Sequence, residues 1–281
     1  MDIQLFSVAV AQQQIDDLKL RLSLARYPEH ETVSDWSQGV PLDYLRTLAD
    51  YWQNSYDMQR LQTRLNALPQ FIADIDGLDI HFIHVRSPEP NARPLILSHG
   101  WPGSVVEFLK VIPLLTDPAA HGGDAADAFH VVCPSLPGFG FSGKPTASGW
   151  GVPRIAGAFA QLMAALGYSA YFAQGGDWGS AVTTNLAQQD PHCRAIHLNM
   201  VPARPTAEQA ANPTDAEKVA FAALQYYRDW DSGYSTQQGT RPQTIGYSLV
   251  DSPTGLLAWI VETYWAWTDS DGNPENVLSK D

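Results

Sequence analysis

The chain has 281 residues, 44% of them hydrophobic, which suffices to bury a substantial core in one large or two smaller domains. Seventeen Lys plus Arg against 30 Asp plus Glu give a formal charge of −13, which disfavours nucleic acid and anionic lipid surfaces as partners. No basic leader and no run of eighteen apolar residues occurs, so the sequence predicts a soluble, cytoplasmic protein without a membrane partner, and its two cysteines, Cys133 and Cys193, predict free thiols rather than a disulfide or a metal site.

Ile15, Leu18, Leu22 and Ala25 recur at helical spacing up to Pro28, and Leu42, Leu45, Leu48, Ala49, Trp52 and Tyr56 do so after Pro41. They predict two amphipathic helices in an N-terminal segment, 1–70. Asp76-Gly77, between the run 71–75 and the alternating Leu78, Ile80 and Phe82, is a hairpin signal, and 94–98 reads as a buried strand. Strands at 129–134, 169–174 and 195–200 then alternate with helices at 153–166 and 180–189. That alternation predicts a mostly parallel sheet flanked by helices over 71–201. From 202 to 281 the pattern changes to helical pieces punctuated by Pro205, Pro213, Pro242 and Pro253, as in an inserted lid.

Gly175-Gly176-Asp177-Trp178-Gly179 lies between the predicted strand 169–174 and the predicted helix 180–189. A Gly-x-nucleophile-x-Gly turn needs its glycines because a sharp strand-to-helix reversal crowds the backbone and lifts the central side chain into a cavity. Here the central residue is an aspartate, and a carboxylate, ionised at neutral pH, attacks an electrophilic carbon without a base to deprotonate it. A plain helix N-cap is the competing structural role for Asp177. The small residues of Ser98-His99-Gly100-Trp101-Pro102-Gly103-Ser104 let a main-chain N–H, assigned to Trp101, face a developing oxyanion, with the Trp178 N–H as the second donor. A cis peptide before Pro102 would fix that loop, and His99 is read as its brace.

Gly138-Phe139-Gly140-Phe141-Ser142-Gly143-Lys144-Pro145 satisfies two nucleotide-binding patterns, but Pro145 replaces the magnesium-binding hydroxyl and no acid follows about twenty positions on. It is read as a tight turn. His81 and His84, three apart on a strand, point to opposite faces and cannot share an ion. No cofactor and no metal is expected.

These segments resemble the epoxide hydrolases of the α/β-hydrolase superfamily, particularly the microsomal and fungal branch with an N-terminal meander. The likeness extends through Tyr51-Trp52, Leu65-Asn66, Pro69-Gln70-Phe71 and Ile80-His81-Phe82 near the start, and Pro134-Ser135-Leu136-Pro137-Gly138-Phe139-Gly140 in the core. In the lid it extends through Gly233-Tyr234, Gln238, Thr240-Arg241-Pro242 and Asp251-Ser252-Pro253. The resemblance implies an α/β-hydrolase fold with the meander at 1–70, the first part of the core at 71–201 and a helical lid at 202–281. It implies Asp177 as nucleophile, Tyr234 as one of two lid tyrosines that donate to the epoxide oxygen, and an oxyanion hole from Trp101 and Trp178. Tyr247 is the rival for the tyrosine role. The implied substrates are a small apolar epoxide and water, the product a vicinal diol, and the implied setting aromatic hydrocarbon catabolism and detoxification.

All eight histidines precede residue 198, and His192 and His197, which alone follow Asp177, sit at the next predicted strand, too early for a base that follows nucleophile and acid in this fold. The expectation is therefore that the acid, the histidine, the second tyrosine and the late strands lie beyond residue 281. The chain alone would be impaired, with a C-terminal fragment of the same protein or a second copy as partner. A haloalkane dehalogenase-like hydrolase and a non-catalytic binding fragment are the competing readings.

Overall fold

The computed structural model describes residues 2–201 and 203–281. The first part of the chain runs β1 (Ile3–Phe6), α1 (Gln12–Ser23), α2 (Leu42–Asn54), α3 (Arg60–Asn66), β2 (Gln70–Ile75) and β3 (Leu78–Val85). It continues through β4 (Arg93–Ser98), α4 (Val111–Thr116), β5 (Phe129–Pro134), α5 (Val152–Ala165), β6 (Tyr171–Gly175), α6 (Trp178–Gln189) and β7 (Cys193–Leu198). The α-helices α7 (Ala207–Ala211), α8 (Asp215–Tyr226), α9 (Gly233–Thr240), α10 (Pro242–Asp251) and α11 (Pro253–Ala266) follow.

Two compact units divide this chain: Met1–Ala9 with Gln59–Ala203, and Val10–Met58 with Arg204–Asp281. These cuts differ from the three segments proposed from sequence, because the first seventy residues contribute to both units. The first unit holds a seven-stranded sheet in the order β1-β2-β3-β5-β4-β6-β7. Its β4, β5, β6 and β7 pair in parallel, while β1, β2 and β3 join as an antiparallel run that pairs with β5. The α/β-hydrolase fold is thus present with a mixed sheet, the antiparallel part coming from the N-terminal hairpin and from β1, which the sequence analysis had not assigned. Asp76 and Gly77 both adopt positive φ, the requirement of a tight two-residue hairpin turn, and set Ile75 opposite Leu78.

Strand alternation sends successive side chains to opposite faces, and both faces are filled. Ile80, Phe82, Ile96 and Val132 pack with Phe159, Leu162 and Met163 of α5 and Leu186 of α6. Ile83, Leu95, Leu97, Val131 and Cys133 pack on the other side with Phe108 and Ile112. The sheet ends at β7, where residues 194–197 are exposed. In the second unit α1, α2 and α11 pack on one another, and α10 packs on α9 and α11.

Candidate active site

β6 ends at Gly175 and α6 begins at Trp178, two residues earlier than expected, so the reversal occupies only Gly176 and Asp177. Asp177 has φ 51° and ψ −126°, a conformation that residues with a Cβ rarely adopt and that persists only where surrounding structure imposes it. Two glycines create the room for it. A side chain at Gly179 would run into the Ser98 carbonyl at the end of β4, and one at Gly100 would run into the Asp177 carboxylate. Asp177 occupies the N-cap position of α6, yet its side chain makes no capping bond. Instead its Oδ1 accepts the Trp101 N–H at 2.8 Å. A capping role is therefore not what holds this aspartate.

The loop that supplies the Trp101 amide contains a cis peptide between Trp101 and Pro102. His99 braces it from below: its Nε2 accepts the Leu136 N–H at 3.1 Å, which leaves Nδ1 as the donor to the Gly100 carbonyl at 3.0 Å. Both ring nitrogens are committed, and burial lowers the pKa of the imidazole, so it stays neutral. The Trp178 N–H belongs to the first turn of α6, whose donors have no acceptor within the helix.

The glycine-rich segment after β5 closes on itself. Gly138 N–H donates to the Gly143 carbonyl at 2.9 Å, and the Ser142 hydroxyl donates to the Ser135 carbonyl at 2.8 Å. His81 lies 2.9 Å from the Ser135 hydroxyl and 3.1 Å from Gln70 Oε1, while His84 turns to the Tyr168 hydroxyl at 2.8 Å. Burial pushes both histidines down to about 4. His192 bonds Asp190 at 2.7 Å, and His197 lies within β7 opposite Gln174.

Glu107 is a neighbour of Asp177 that the sequence reading missed. The Ser104 hydroxyl accepts the Val106 N–H at 3.3 Å and the Ser104 carbonyl accepts the Glu107 N–H at 3.1 Å, which caps the short 3₁₀ turn Val105–Phe108. Burial first, and the charge of Asp177 second, raise the Glu107 pKa and favour its protonated form.

Tyr234 belongs to the second unit, near the start of α9. Its hydroxyl lies 3.2 Å from that of Tyr227, and its ring meets Trp267 edge-on at 5.2 Å. Tyr247, the rival, is 71% exposed. Tyr234 lines a cavity of about 990 Å³ within this unit, together with Tyr27, Val40, Leu45, Ile245 and Trp259. Glu262 also lines it, its pKa raised by burial and by Asp231. Among the described residues no group of three His, Cys, Asp or Glu side chains could hold a metal ion. No described helix is long and apolar enough to cross a membrane.

Residues 3–108 match the family model of the epoxide hydrolase N terminus, and residues 93–243 match that of the alpha/beta hydrolase fold. A relative in Stigmatella aurantiaca is 54% identical over 277 residues, which cover 98% of this chain and 63% of that protein. Epoxide hydrolase 1 of Sus scrofa is 37% identical over 304 residues, covering 99% of this chain and 67% of its own length. The solved epoxide hydrolase of Aspergillus niger superposes with a TM-score of 0.87 at 35% identity, covering all of this chain and 74% of that one. The chain thus spans about two thirds of the length of the curated relatives it matches.

Proposed function

The chain belongs to the epoxide hydrolases of the α/β-hydrolase fold, and on that premise we propose that it adds water to an apolar epoxide through an ester formed on Asp177. The observation that carries the reading is the asymmetry of the Asp177 carboxylate. Oδ1 is held by the Trp101 N–H at 2.8 Å, whereas Oδ2 makes no hydrogen bond among the described residues. Oδ2 is therefore the atom that attacks.

In the first half-reaction Oδ2 bonds to an epoxide carbon from behind, the ring C–O bond breaks, and the Tyr234 phenol gives its proton to the departing oxygen. Strain in the three-membered ring drives this step. In the second, water adds to the ester carbon of Asp177, and negative charge gathers on Oδ1. The Trp101 and Trp178 amides then serve as the oxyanion hole for an atom that Trp101 already holds. Collapse of that adduct expels the diol together with the former Oδ2, and the water oxygen remains on Asp177.

Only the second half-reaction needs a base. His99 commits both ring nitrogens to its loop, His81 both to Ser135 and Gln70, and His84 and His192 are bonded to Tyr168 and Asp190. We assign the water-activating base and the second tyrosine to a portion of the protein beyond residue 281, a reading that the greater length of the relatives supports. Catabolism or detoxification of aromatic epoxides in the cytoplasm is the setting that this chemistry fits.

The test is to expose the 281-residue protein to a simple aryl epoxide, wash it, and treat it with mild alkali. Release of one diol per protein is expected. Neither free nor alkali-released diol, or chloride release from a haloalkane instead, would contradict the reaction. Rapid multiple turnover by this chain alone would contradict the placement of the base.

A further inference from the structure

We propose that Tyr227 is a positioning residue that donates its phenol hydrogen to Tyr234 and so readies Tyr234 to protonate the epoxide oxygen. The proposal rests on the role given to Tyr234 above. The two hydroxyl oxygens are 3.2 Å apart and both side chains are half-buried. A phenol carries a single hydrogen. If the hydrogen of Tyr234 points at the substrate oxygen, the bond between the two tyrosines must run from the Tyr227 O–H to the Tyr234 oxygen. As the proton leaves Tyr234 for the alkoxide, the resulting phenolate already accepts a hydrogen bond, which stabilises the charge as it develops. Tyr227 keeps its own proton throughout, and solvent later restores that of Tyr234.

The local backbone sets up this pairing. Tyr227 begins a π-helical turn, Tyr227–Asp231, that follows α8, and such widened turns recur at functional sites because they rotate side chains out of helical register. The Ser232 hydroxyl donates to the Arg228 carbonyl at 2.8 Å and braces the bend that leads into α9. The Trp267 ring against Tyr234 then limits the swing of its phenol.

The experiment compares the 281-residue protein with Tyr227→Phe, Tyr234→Phe and the double variant in single-turnover alkylation by an aryl epoxide, followed by intact mass. Tyr227→Phe should slow alkylation roughly 10- to 100-fold, the range for losing a hydrogen bond to a developing charge. In the Tyr234→Phe background it should change nothing, because its partner is already gone. A loss of equal size in both backgrounds would mean that Tyr227 merely supports packing, and would overturn the proposal. If Tyr234→Phe itself alkylates at the unsubstituted rate, the role of Tyr234 fails instead. Carbon-13 tyrosine spectra give a readout independent of activity: the Tyr234 signal, identified by its loss in Tyr234→Phe, should ionise at higher pH in Tyr227→Phe. An unchanged midpoint would overturn the proposal even if alkylation slowed.

Discussion

In the unit that carries Asp177, each strand from β2 to β6 delivers at least one side chain with almost no exposed surface, whereas in the unit that carries Tyr234 the helices α7 to α10 bury none. The contrast matches the different demands on the two residues. Asp177 sits in an unfavourable backbone conformation that only dense surroundings can enforce, and those surroundings are two filled sheet faces and a close approach of β4 to α6. The role proposed for Tyr234 asks only for a hydroxyl aimed at an oxygen. The Tyr227 phenol and the Trp267 indole are among the groups that orient it.

Hydrogen exchange offers the widest separation between the two units. Amides of β4 and β5 should exchange only through global unfolding, at a cost of about 5 kcal/mol or more, while those of α9 and α10 should open far more readily. Equal protection in both would break the comparison. Truncation probes the same difference side chain by side chain. Leu162→Ala, in α5 against the sheet, should cost about 2–5 kcal/mol by denaturant unfolding, and Val250→Ala, on an 89% exposed side chain of α10, no more than about 0.5 kcal/mol. Gly179→Ala should cost about 1–3 kcal/mol through its collision with the Ser98 carbonyl and should also slow alkylation of Asp177. Normal alkylation in that variant would show that the close approach does not position the nucleophile.

Two histidines of the sheet unit are expected to add a dependence on pH. His81 and His84 are held neutral by burial, with values near 4 against 6.5 for the free side chain. Between those values the unfolded chain binds more protons, so stability is fully present above about pH 6.5 and is lost progressively as pH falls towards 4. His81→Gln should flatten this dependence in a pH series of thermal unfolding.

What could be read from the sequence followed local crowding and continuous apolar runs. β4 and β5 were legible because each carries four adjacent core residues, α5 because its core residues Phe159, Leu162 and Met163 recur at helical spacing, and the Asp177 turn because glycines flank it. β1 was not, since four residues carry too short an alternation and its partner Ala73 lies seventy positions from Ile3. α3 buries Leu65 alone over seven residues and gives no periodic signal. α6 begins before its predicted start because Gly179, which reads as a turn residue, is there to admit the Ser98 carbonyl. The Trp101 amide that meets Asp177 could be found from its small neighbours, whereas Glu107 left no signal in the sequence. The Tyr227–Tyr234 pairing depends on a π-helical turn, for which no residue pattern is diagnostic.

The most direct measurement is intact mass and peptide mapping of the 281-residue protein after exposure to an aryl epoxide, beside Asp177→Asn. A single stable increment equal to the epoxide mass, located on Asp177 and absent from the variant, is the predicted result. No increment, or one that persists in Asp177→Asn, would contradict attack by the carboxylate at this turn.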